Sequence, residues 1–453
     1  MRINNKENAY YHITEEIKSA AHEYSKGYKD FLNHCKTERK CTERIVSILK
    51  DHGFTELKHG QSVKPGDRVY RIHRLKSVYA AVVGSSPLSE GVNIAAAHID
   101  NPRLDLKTNP LYEDQNAYFK THYYGGIRKH HWFAIPLSLH GVVYLADGTG
   151  VTVVIGEDPA DPVFTIPDLL PHLADKQKKL VLEDAYEGEQ INVLIGSEPD
   201  TSIKDGALKA TILSILNEKY GITEDDFASA ELSVIPAFKS RDVGLDRSMI
   251  GSYGQDDRVC AYAALMGLLK IESPAKTAIC LFADKEEVGN SGITSMETKA
   301  FDTFMLDLCT AEGIPVDYCY ENSLCLSMDV TGSYDPNFYD VFDPMNEGYM
   351  NRGISVMKYS GSRGKIVSSD ASAETVARIR KIFDRNNVIW HISELGKVDI
   401  GGGGTVALCM AVRNIDVIDA GTPVLGMHST FEVTGKLDCY MTHLAAKALF
   451  ESR

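Results

Sequence analysis

The stretch Ala283 to Gly292, reading ADKEEVGNSG, follows directly on the apolar run Thr277 to Phe282, TAICLF. A run of that length bounded by polar and glycine-rich sequence has the dimensions of a buried strand. The adjacent carboxylates Glu286 and Glu287 then fall in a turn punctuated by Gly289 and Gly292. Neighbouring side chains on an extended or turning backbone point in different directions. Such a pair can divide its work, one carboxylate binding a divalent cation while the other handles a proton. Taken alone, the pair also fits a solvated acidic loop, so the decision rests on the rest of the chain.

Other short apolar runs end in similar residues. Val92 to Ala97 is followed by His98-Ile99-Asp100. A histidine at the carboxyl end of a strand, with an aspartate two residues on, suits a metal ligand whose second ring nitrogen is held by a carboxylate. A structural histidine is the competing reading. Ser323 to Met328 ends at Asp329, and Pro423 to Met427 ends at His428. Asp256, in Gly254-Gln255-Asp256-Asp257-Arg258, precedes a helical face of Val259, Tyr262, Ala263, Met266 and Leu269. It therefore stands at a helix N-terminus, where a carboxylate also serves as a simple cap. In an open α/β sheet, ligands gather outside the carboxyl ends of the strands. Two histidines and three carboxylates collected there suit two borderline divalent ions with one carboxylate between them.

A chain of 453 residues exceeds the size at which single cores stop growing, which predicts two domains. Helical periodicity covers Thr14 to Cys35, with Thr14 as cap, and Thr42 to Asp51, while Arg68 to Ile72 and Ser77 to Val83 read as strands. Between 104 and 231 the character changes. Asp147-Gly148 joins two apolar strands, prolines recur at 159, 162, 167 and 171, and helical periodicity is confined to Asp205 to Leu216. This predicts a β-rich domain, 104–231, inserted into an α/β domain made of 1–103 and 232–453, with Leu232 to Pro236 resuming the strand–helix alternation. A helix from Lys436 closes the chain.

The net charge of −14 argues against nucleic acid and anionic membrane as partners. No apolar run is long enough to span a bilayer, and the opening MRINNKENAYYH has no signal-like apolar stretch. Nine cysteines without a CxxC pair, several inside apolar runs, predict reduced thiols and a cytoplasmic setting.

The pieces AHIDNP (97–102), GQDDR (254–258), ADKEEVGNSG (283–292), SMDVTGSYDPNF (327–338) and GMHSTFEV (426–433) occur in this order over nearly the whole chain. In them the sequence resembles the aspartyl aminopeptidases and the related vacuolar aminopeptidase I, dinuclear metallo-aminopeptidases. The resemblance implies a mixed-sheet, zinc-peptidase-like catalytic domain with a β-rich oligomerisation insert. It implies two divalent ions, zinc before cobalt or manganese: one on His98, Asp256 and Asp329, the other on Asp256, Glu287 and His428. Glu286 becomes the general base and Asp100 orients His98. It further implies peptide substrates and a tetrahedral homododecamer. Lys358 falls where a lysine meets an acidic substrate side chain, which implies a preference for N-terminal Asp or Glu. Two departures bear on that preference: Asp257 stands where aspartyl aminopeptidases carry asparagine, and Lys397 to Thr405 contains four consecutive glycines. That run is not a phosphate loop, since Thr405 and Val406 follow where Lys and Ser or Thr are needed; the resemblance implies a loop beside the active site whose backbone N–H groups contact substrate, and a simple tight turn is the competing reading. The alternatives are a relative preferring neutral residues, a dinuclear carboxypeptidase or deacylase, and a silent assembly protein, the last disfavoured by Glu286.

Overall fold

The apolar run before the paired glutamates forms the strand Ala278–Ala283, buried at every residue. The structure, a computed structural model, describes residues 1–3 and 7–453. The chain divides into two compact units, the first made of Met1–Asp100, Ser240–Met427 and Phe431–Arg453, the second of Asn101–Lys239 and His428–Thr430.

The first unit is built on a nine-stranded sheet. At its centre Ala278–Ala283, Asn93–His98, Leu324–Ser327 and Asp416–Gly421 lie side by side and parallel. Arg68–His73, Ser77–Val82 and Ile354–Met357 add antiparallel pairings, so the sheet is mixed. Alternate residues of one strand serve two cores. Ala95 and Ala97 pack with Phe31, Leu265 and Phe450 on one face, and Ile94 and Ala96 pack with Phe301, Phe304 and Met410 on the other. A strand covered on both faces has no polar side, which is why these segments read as unbroken apolar runs. Ala283 pairs with His98, and Ser327 with Ala96, so the segments carrying Glu286, His98 and Asp329 leave the same edge of the sheet.

The helices start where side-chain caps are available. Thr14 accepts from the Ile17 N–H ahead of Glu15–His34. The second helix, Glu38–Asp51, begins earlier than the sequence pattern predicts, because Thr37 caps it by accepting from Lys40 N–H at 3.3 Å. A five-stranded sheet contains Met249–Ser252, Glu432–Gly435 and Pro423–Leu425. The strand leading to His428 therefore belongs to a different sheet from the strands leading to His98, Glu286 and Asp329.

In the second unit, Gly150–Ile155, Leu137–Tyr144, Ala230–Pro236, Arg103–Glu113, Ala117–Tyr124 and Asn192–Gly196 form an antiparallel sheet in that order. The helix Ala207–Tyr220 also lies in this unit. The segment 104–231 lies within the unit, but its ends run further, to Asn101 and Lys239. Leu232 to Pro236 does not resume the α/β alternation: the strand Ala230–Pro236 pairs with Leu137–Tyr144 and Arg103–Glu113. A short apolar run carries no information about which sheet it joins. Among the described residues no helix is long and apolar enough to cross a membrane.

Candidate metal centre

His98 is the last residue of its strand and is only 1% exposed. Its Nδ1 lies 3.1 Å from the Asp100 carbonyl and 3.4 Å from Asp100 Oδ1. That leaves Nε2 facing a set of carboxylates: Asp256 Oδ1 at 3.1 Å, Asp329 Oδ1 at 3.8 Å and Glu286 Oε2 at 3.9 Å. Such an arrangement fixes the ring and presents one nitrogen as a donor.

Asp100, fully buried, also organises the paired glutamates. Its two oxygens accept the N–H groups of Glu286 and Glu287, each at 3.2 Å. Lys285 takes a left-handed conformation, φ 68°, and the chain then makes a single 3-10 turn, Glu286–Val288. Gly292, at φ 131°, takes a backbone conformation that residues with a Cβ rarely adopt. The turn delivers both carboxylates to the cluster from one anchored backbone.

Asp256 lies at the start of Gln255–Leu269 and is 3% exposed. The local backbone is held by Glu432, which accepts from Gln255 N–H at 2.6 Å and Asp256 N–H at 3.3 Å. Asp257, fully buried, accepts from the His98 N–H at 3.3 Å. Asp329 follows its strand by two residues and is 7% exposed. Behind it, a Cβ on Gly421 would stand 1.8 Å from the Asp329 carbonyl oxygen, so only glycine allows this close approach.

Two donor groups result: His98 with Glu286 and Asp329, and His98 with Asp256 and Glu287, each with ligand atoms within 4.8 Å of one another. The crowding is visible in the protonation equilibria. Burial opposes charging of the His98 ring, but hydrogen bonds to Asp100 and Asp256 and the charges of Asp329 and Glu286 raise its pKa well above the usual range. Burial, then the charge of Asp257, push the Asp329 carboxyl well up. A concentration of carboxylates around one imidazole is what a divalent cation relieves, and its oxygen and nitrogen donors suit zinc.

The other two candidate residues stand elsewhere. His428, at φ 63°, is outside both donor groups; its Nδ1 is 2.7 Å from the Gly126 carbonyl oxygen. Lys358 follows the strand Ile354–Met357 and is half-exposed, its Nζ 2.7 Å from Asp370 Oδ1, while Lys365 holds the other oxygen at 2.8 Å. Gly401 closes a turn by donating to the Lys397 carbonyl. Glu432 and Asp257 are absent from the candidate set read from the sequence. The available signal for Glu432 was a carboxylate inside the strand-like Phe431-Glu432-Val433, where burial requires a partner.

The family model described as aminopeptidase I zinc metalloprotease (M18) matches residues 31–450. A probable M18 family aminopeptidase 1 from Thermotoga maritima is 44% identical over 452 residues, 98% of this chain and 99% of that protein. The crystal structure of an M18 aminopeptidase from the same organism superposes with a TM-score of 0.94, covering 99% of both chains at 44% identity. The structure of the S. cerevisiae mApe1 dodecamer shares the fold, with a TM-score of 0.76 at 19% identity, over 94% of this chain and 96% of that one. With the family match spanning most of the chain and the first two likenesses spanning nearly all of it, the chain belongs to the M18 family of zinc metallo-aminopeptidases.

Proposed function

We propose that the cluster is a dinuclear aminopeptidase centre in which Glu286 is the general base. The observation that carries this reading is the convergence of Asp256, Asp329 and Glu286 on His98 Nε2, with Asp100 holding both His98 and the Glu286–Glu287 backbone. On the family resemblance, His98, Asp256 and Asp329 would hold one ion, and Asp256, Glu287 and His428 the other. The shared role of Asp256 is supported by its being the carboxylate nearest His98 Nε2, at 3.1 Å. His428 enters on the family resemblance, supported by the Gly126 carbonyl at its Nδ1, which leaves Nε2 as the donor.

Divalent ions held by these residues would supply Lewis-acid chemistry, polarising the scissile carbonyl and acidifying the attacking water. Glu286 takes the proton of that water and passes it to the departing amine. Asp100 keeps the His98 ring oriented and the Glu286 backbone fixed through these steps.

The substrate is a peptide with a free N-terminus, and the first residue is acidic where Lys358 reaches it. Two lysines sharing the Asp370 carboxylate leave a surplus positive charge, which supports that preference. The Asp370 partner already on Lys358 favours the second reading, a preference for neutral residues. The assembly is a tetrahedral homododecamer, supported by the dodecamer of the yeast relative. Nine free, buried cysteines support a cytoplasmic setting. The test is a panel of aminoacyl amides assayed with zinc, cobalt and manganese, with metal quantified by elemental analysis. Two ions per chain and fastest release of Asp or Glu are expected. One ion per chain at full activity overturns the dinuclear reading, and faster release of Leu overturns the acidic preference.

A further inference from the structure

Two residues beyond Asp256, the Arg258 side chain is buried in the core, only 1% exposed. Its Nε and Nη1 have no hydrogen-bond partner, and among the described residues no carboxylate forms an ion pair with it. The Tyr253 ring, 5.6 Å from the guanidinium carbon, offers it a π face. A guanidinium keeps its charge in a protein, and a buried charge is costly without a counter-charge. The nearby groups able to supply one are few: the charges that act on Arg258 are those of Cys41, Tyr253 and Cys35. A thiol ionises more readily than a phenol.

The two thiols are fully buried, with Cys41 Sγ 3.6 Å from the Cys35 carbonyl oxygen. They stand in opposite helix fields. Cys35 ends the helix Glu15–His34, its N–H bonded to the Phe31 carbonyl, where the negative end of the helix dipole opposes an anion. Cys41 lies in the opening turn of Glu38–Asp51, where the positive end favours one. Of the pair, Cys41 is the thiol placed to ionise. Burial raises it, but the Cys35 thiol and the Arg258 charge bring it below its ordinary value, with Glu38 opposing. Cys35 is pushed well up, by burial and then by Cys41, against the charges of Arg258 and Arg44.

We propose that Cys41 is a thiolate paired with Arg258 in the core, and that this pair is a positioning device for Asp256. Arg258 begins the regular part of the helix Gln255–Leu269, directly after Asp256 and Asp257, whose backbones are not helical. The anchored guanidinium therefore fixes the point from which Asp256 reaches to within 3.1 Å of His98 Nε2. The positioning role rests on the reading of Asp256 as a metal ligand; the ion pair itself does not.

The test reads the ultraviolet absorbance of thiolate in the folded, full-length chain at about pH 6, where an ordinary thiol of pKa about 8.5 is protonated. The difference spectrum between the original and Cys41→Ser should show one thiolate. Arg258→Met should lose the same band, because a buried thiol without its counter-charge keeps its proton. At neutral pH, metal-loaded Cys41→Ser should give up metal to a chelator about tenfold more readily, the size expected when a group supporting a ligand is lost. Cys41→Asp, which restores the negative charge, should recover most of that retention. A Cys41 that is neutral and donates to the Cys35 carbonyl gives no thiolate band, which overturns the proposal. A band with unchanged metal retention in Cys41→Ser overturns the positioning role, as does a loss that folded Cys41→Asp does not recover. If Cys41→Ser does not fold, Arg258→Met decides by the same spectrum and the same chelator. An original chain that holds no metal would count against the reading of the cluster instead, and the spectrum would still decide the pair.

Discussion

At Glu286 the claim is about a proton, and it separates from claims about metal. Its carboxylate lies 3.9 Å from His98 Nε2, and its N–H is held by Asp100. Glu286→Gln keeps the shape and removes the base, so turnover should fall by roughly 10²–10⁴-fold while metal content is retained. Kinetics with elemental analysis checks both; near-normal turnover would remove Glu286 from the role. Lys358 is a second residue-scale case. A charge-assisted hydrogen bond to a substrate carboxylate is worth roughly 1.5–3 kcal/mol, or about one to two orders of magnitude in specificity. Lys358→Met should therefore lower kcat/KM for Asp and Glu substrates by about that factor and leave Leu substrates unchanged. Since Lys358 is paired with Asp370, an equal loss on both substrate classes would assign it to holding that carboxylate.

At the scale of the element, the turn of Glu286–Val288 and the loop 396–405 are both shaped by buried carboxylates that accept backbone N–H groups. The second has a pH signature. Burial pushes the Glu347 carboxyl up to about 8 from its ordinary 4.5, with the N–H groups of Gly396, Gly348 and Asp343 pulling it down and the Asp343 charge raising it. Folded protein thus keeps a proton that unfolded chain releases. Stability from this group is fullest below its unfolded value and falls as pH rises towards about 8. Glu347→Gln does not titrate there, so its denaturation midpoint should decline less than that of the original between about pH 5 and pH 8.5. Parallel declines would mean that Glu347 does not titrate in this window.

For the whole molecule, the second unit carries an unusual run of exposed apolar side chains. Leu170 is 49% exposed, Leu173 68% and Val181 67%. A monomer rarely leaves large apolar groups so exposed within one short segment unless a partner covers them. Light scattering should find an assembly many times the 50.0 kDa chain. Leu173→Asp together with Val181→Asp should yield a smaller species with little change in thermal midpoint. A large assembly unaffected by both changes would place the subunit contacts elsewhere.

Short apolar runs ending in His98, the glutamate pair and Asp329 were legible because strands buried on both faces cannot alternate and ligands can only follow them. The adjacency of those runs in one parallel set, Ala278–Ala283 beside Asn93–His98 beside Leu324–Ser327, was not. Pairing partners are chosen by long-range packing, which a local pattern does not encode. For the same reason Ala230–Pro236 joined the other sheet, and His428 came from a strand outside the nine-stranded one. Glu432 and Asp257 emerged only in three dimensions. Each receives hydrogen bonds from residues far away in sequence, and the sequence alone does not say which donors will meet a carboxylate. Residue types and their order pointed to metal donors at the ends of strands; the tertiary structure shows that His98, Asp256, Glu286, Glu287 and Asp329 stand together, because long-range packing and not local sequence brings those strand ends side by side.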